Sequence, residues 1–141
     1  MKYFSGGVVV FFLMLSLALA QDDAGKKDLD NLQGVWQMVS MEIEGKALPA
    51  DEIKGFKLTV KGNKGSHPGK DAKNDEATIK LDPSKTPKTI DMATKGMTFV
   101  GIYSIEGDNL KICGAKAGGD RPTEYKGGKD VVYYVLKRDK P

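Results

Sequence analysis

Cysteine, histidine and tryptophan each occur once in the 141 residues. A lone cysteine, Cys113, excludes an internal disulfide, and the expected state of such a thiol is a small buried hydrophobe. A lone histidine, His67, lies between Ser66 and Pro68 without the partner ligands a metal centre gathers. No Gly-x-Ser-x-Gly elbow marks a nucleophilic serine. These scarcities leave no catalytic residues, no metal ligands and no cofactor motif to assign, and the chain reads as a non-enzyme. Basic and acidic residues are interspersed, with a formal charge of +3. A nucleic-acid footprint needs a dense basic stripe with stacking aromatics, so no nucleic-acid partner is expected.

Long apolar runs are also scarce; there is one, at the start. Lys2 supplies a positive flank, GVVVFFLMLSLALA an apolar core, and Ala18-Leu19-Ala20 a small-x-small cleavage signal. The run falls short of the roughly 20 residues that cross a bilayer as a helix. Residues 1–20 are therefore expected to be a signal peptide cleaved near Ala20/Gln21, giving a periplasmic or extracellular protein with no membrane span. Removing 20 residues from 141 leaves 121, one domain's worth. Residues 21–31 are polar and read as a flexible N-terminal segment, with Leu29 and Leu32 spaced for one helical turn.

No long helical period follows. Phe56, Leu58 and Val60 alternate with lysines and threonine, the mark of a half-buried strand. In the first strand, Val35, Val39, Met41 and Ile43 share one parity and Trp36 and Met38 the other, which predicts a bulge or strong curvature. ATIKL, KTIDM, MTFVGIYSI, LKICG and VVYYVLKR add strands, TEYK a weak edge strand, and PADEIKG one helical turn closed by Gly55. Short strands with turn signals at intervals of about 8–12 residues predict an all-β sandwich or barrel.

In order along the chain, LQGVWQMVSMEIEGKALP, GFKLTVKGNK, IKLDPSKTPKTIDM, GIYSIEGDNLKICGA, RPTEYK and VLKR resemble a family of small exported lipocalin-like proteins best known from planctomycete bacteria. The resemblance covers about Leu32 to Arg138. It implies an up-and-down antiparallel lipocalin-like β-barrel of about eight short strands over residues 32–138, and no biochemical activity. One departure is KGSHPGKDAKND, which lacks the strand character expected there and predicts a barrel open on that side or a loop over its mouth.

In such barrels the tryptophan of a Gly-x-Trp step packs across the closed end with an arginine on its indole. The resemblance thus assigns Trp36 and Arg138 to structural barrel closure. Arg121, in GGDRPTEYK, has two readings: it grips a ligand carboxylate or phosphate, or it bonds carbonyls or a neighbouring acid to hold the entry to the next strand. Tyr103 and Tyr133 are candidates to line a ligand cavity; adjacent Tyr133 and Tyr134 must face opposite sides of a strand. Two functions remain open: a binding protein for a small apolar or amphipathic molecule, or a filled barrel acting as a protein-interaction or structural module.

Overall fold

The change of apolar parity in the first strand is a bulge. Trp36 and Met38 of β1 (Gly34–Ile43) face the core, and the register against the last strand shifts between Met38 and Ser40. Beyond the shift Met41 faces the core, while Val39 is left outside with 53% of its surface exposed. The extra residue reverses which parity is buried, so both halves of an irregular sequence point their apolar side chains the same way.

The computed structural model describes residues 24–66, 76–116 and 118–140. The leader, its cleavage point and His67 lie outside the described residues. Helix α1 spans 24–32. It is followed by β1, β2 (Lys46–Ala47), α2 (Ala50–Ile53), β3 (Lys57–Lys61), β4 (Lys64–Ser66), β5 (Glu76–Asp82), β6 (Thr89–Thr94), β7 (Met97–Glu106), β8 (Asn109–Lys116) and β9 (Val131–Arg138). From β3 onward each strand pairs antiparallel with the next; β1 pairs with β3 on one side and β9 on the other. The result is a closed, eight-stranded, up-and-down antiparallel barrel consistent with a lipocalin-like fold, with β2 hung on the end of β1. Glu44 and Gly45 join β1 to β2 with φ of 53° and 80°, the pair of positive angles a tight hairpin turn needs.

Three expectations are corrected. The segment read as flexible with a single helical turn is a helix over 24–32, because Leu29 and Leu32 have an apolar surface to cover, the end of the barrel. Of the two outcomes expected around KGSHPGKDAKND, the loop over the mouth, residues 67–75, lies outside the described residues, and the open side is closed by β4, whose three residues pair with both β3 and β5. Its core-facing residue is Gly65, where a Cβ would stand 3.0 Å from Ile79 Cδ1, so this strand carries no apolar signature. TEYK forms no strand; a bridge between Gly128 and Val131 leads into β9 instead. Phe56 stands just ahead of β3 and is 42% exposed.

Trp36, Met38, Leu58, Val60, Ile79, Ile90, Tyr103, Leu110, Ile112 and Leu136 pack from the wall into one buried cluster. Leu32 from α1 and Ile53 from α2 belong to the same cluster, with Leu29 and Leu48 packed against it. The short helices thus complete a core that the strands alone leave uncovered. Among the described residues no helix is long and apolar enough to cross a membrane.

Candidate functional site

Trp36 and Arg138 are cross-strand partners on β1 and β9. The Arg138 guanidinium lies 4.3 Å from the indole centroid, and the Trp36 Nε1–H donates to the Leu32 carbonyl at 2.9 Å. Arg138 also donates to the carbonyls of Gln33 at 2.8 Å and Asn31 at 2.7 Å. One side chain therefore stacks on the barrel's tryptophan and satisfies carbonyls where α1 ends, groups a helix cannot satisfy internally. Asp108 accepts from Arg138 at 3.4 Å and from Lys140 at 2.7 Å, and Lys140 holds its carboxyl below the ordinary range.

Tyr103 faces the core, where its hydroxyl donates to Asp28 Oδ2 of α1 at 2.7 Å, and Lys88 donates to the same oxygen at 3.0 Å. Tyr103 thus latches the helix to the wall, and it also borders one of the grooves described below. Burial, and then the Asp28 carboxylate, push its ionisation well above the ordinary tyrosine range. A phenol whose folded pKa is raised contributes stability that is complete below its unfolded pKa of about 10 and is lost as pH climbs beyond it. Going from pH 8 to pH 11 is expected to remove about 1.4 kcal/mol through this group, the cost of ionisation gained in the unfolded chain alone. Urea unfolding at both pH values checks this: Tyr103→Phe must show a shallower alkaline decline than the parent, and parallel declines refute it.

The segment 118–130 folds back over the outer wall. Cys113 and Ala115 on β8 and Ile102 on β7 face away from the core yet are buried beneath it. The Cys113 thiol donates to the Lys126 carbonyl at 3.6 Å, and burial raises its pKa above the ordinary thiol value. Tyr133 stands on this outer side with its ring 6.1 Å from that of Tyr125, and Tyr134 packs against the core. The interior-lining position therefore belongs to Tyr134, because the strand's alternation turns Tyr133 outward. Burial, with Cys113 nearby, pushes Tyr125 up to about 12.

Arg121 fastens that segment. Nη1 donates to the carbonyls of Gly101 at 2.8 Å and Ile90 at 3.2 Å, and Nη2 to Asp91 Oδ1 at 2.7 Å. The acceptors are two carbonyls and an acid, as in its second reading, but they belong to β6 and β7 and hold the 118–130 segment to the wall, with no strand at TEYK to enter.

Around this clasp the outer wall is concave. A groove of about 500 Å³ runs between the 83–88 turn and the Arg121 segment, lined by Lys80, Lys85, Thr86, Thr89, Thr123 and Pro122 among others, with Ile102 beneath. A second groove of about 340 Å³ lies on the other side of the same turn, beside Lys88, Tyr103 and Tyr125. At the start of the turn, Asp82 Oδ1 accepts from the Ser84 hydroxyl at 2.5 Å and the Ser84 N–H at 3.1 Å, which lowers its pKa below the ordinary carboxylate value. Sequence reading missed Lys80, Lys85 and the threonines as a group. The only signal was that DPSKTP must bend, bringing the charged ends of β5 and β6 together. Among the described residues no three His, Cys, Asp or Glu side chains converge as a metal site would require.

Fold and surface together define a small closed β-barrel with an apolar core cluster and a groove of mixed polar and apolar lining on its outer wall. Comparison with protein-family models, with curated proteins and with solved structures finds no match to this chain.

Proposed function

We propose that this protein is an exported interaction module: a filled lipocalin-like barrel that makes its contacts from its outer wall and loops in the periplasmic or extracellular space. The leader-like start of the chain supports export. The observation that carries the rest is the interior itself, where side chains from both sheet and helices meet in one cluster and α1 is tied across an end. A carrier of a small apolar or amphipathic molecule needs a lined cavity of several hundred Å³, and the two grooves of that size described among these residues both border the 83–88 turn.

Native mass spectrometry of the mature protein, gently purified from the exported fraction of its own cell, tests this. The expected spectrum shows the bare polypeptide, alone or with a protein partner. An apolar or amphipathic small molecule that leaves only on denaturation makes the protein a carrier and overturns the proposal.

A further inference from the structure

We infer that the larger outer groove binds a small ligand through an oxyanion, phosphate or carboxylate, held by Lys80 and Lys85, with Arg121 as a positioning residue. The inference deepens the outward-binding reading and rests on it.

The argument begins with register. Lys80 on β5 lies directly opposite Asp91 on β6, and both face outward because Ile79 and Ile90 face the core. Opposite charges in that relation ordinarily pair across the strands. Here Asp91 is turned to Arg121 at 2.7 Å instead. Lys85 stands near Asp82, whose Oδ1 is occupied by the two Ser84 donors. Among the described residues, neither Lys80 nor Lys85 forms an ion pair. Asp82 and Asp91 line the same groove, but one oxygen of each is taken, by the Ser84 donors and by Arg121, while the two ammonium groups face this concave space with no hydrogen bond among the described residues.

The remaining lining sets the character of the ligand. Thr86, Thr89 and Thr123 offer hydroxyls, while Pro87, Pro122 and Ile102 offer apolar surface. An anionic head with a compact hydroxylated body, such as a sugar phosphate or a sugar acid, matches both. Arg121 contributes without touching the ligand: by drawing Asp91 away, it keeps the carboxylate from neutralising Lys80.

The test is a titration of the isotope-labelled mature protein, followed by amide NMR shifts, with glucose 6-phosphate, glucuronate and uncharged glucose. Saturable shifts grouped at Lys80, Thr86, Thr89 and Thr123 are expected with at least one of the anions and not with glucose. A response to the phosphate alone or the carboxylate alone names the head group, and a response to both shows recognition by charge. The Lys80→Gln/Lys85→Gln double variant is expected to weaken binding at least tenfold, while Lys46→Gln/Lys111→Gln, changing exposed lysines elsewhere, leaves it unaltered. Arg121→Gln is expected to weaken it by releasing Asp91 toward Lys80, and Asp91→Asn added to that variant to restore it. No saturable shift with either anion, an equal response to glucose, or full binding by the Lys80/Lys85 variant overturns the inference. A flat titration sinks the groove alone; a mass released from the interior sinks the outward-binding reading beneath it.

Discussion

Trp36→Ala is expected to be among the most damaging single substitutions in the molecule, lowering stability by about 3–5 kcal/mol. Trp36 is completely buried, so truncation opens a cavity where β1, β3, β9 and α1 meet. It also removes the donor to the Leu32 carbonyl and the ring beneath Arg138. With small domains stable by only about 5–15 kcal/mol, the variant is expected to melt early or to populate unfolded chains at room temperature. Trp36→Phe separates the contributions. It keeps an aromatic face and most of the volume but leaves the Leu32 carbonyl without its donor, which costs about 1–3 kcal/mol. Urea midpoints should fall in the order parent, phenylalanine, alanine. An alanine variant as stable as the phenylalanine one shows that the indole is not the anchor.

The second large effect concerns paired glycines on β7 and β8. Gly101 and Gly114 are direct cross-strand partners. A Cβ built on Gly114 would lie 2.2 Å from the Phe99 ring, whereas one on Gly101 would lie 2.5 Å from the Cys113 carbonyl oxygen. One obstacle is a side chain and can be removed; the other is the backbone of the neighbouring strand and cannot. Gly114→Ala is expected to cost about 1–3 kcal/mol as an overpacked site. Combining it with Phe99→Leu should return part of that cost, a coupling of about 0.5–3 kcal/mol in a double-mutant cycle. Gly101→Ala should receive no such relief from Phe99→Leu. Additive behaviour in the first cycle, or rescue in the second, contradicts the packing described.

What could be read in the sequence follows the physics of each signal. The barrel class was legible because Phe56-x-Leu58-x-Val60 and its counterparts repeat with a period of two, and the bulge because Trp36 and Met38 disagree in parity with Met41. β4 was invisible because Gly65 packs against Ile79 by lacking a side chain, and no hydropathy pattern registers an absence. The helix over 24–32 was underestimated because its apolar residues are few and its support comes from Tyr103, Lys88 and Arg138, all distant in sequence. Arg138 came from a resemblance, not from any local pattern. The groove lysines were hidden because Lys80 and Lys85 look like ordinary solvated charges. What distinguishes them is the turning of Asp91 toward Arg121, a relation between three separate segments.

The pairing of β1 with β9 has a consequence for how the molecule is made. Its seam joins Trp36 to Arg138, so a chain emerging from its amino end completes almost the whole sheet before the last strand can shut it. Contacts so far apart in sequence form late and slowly. Until Val131–Arg138 arrive, β1 and β8 present raw strand edges able to pair with another copy. The eight-residue strand β9 therefore decides between a sealed wall and an open sheet that invites aggregation.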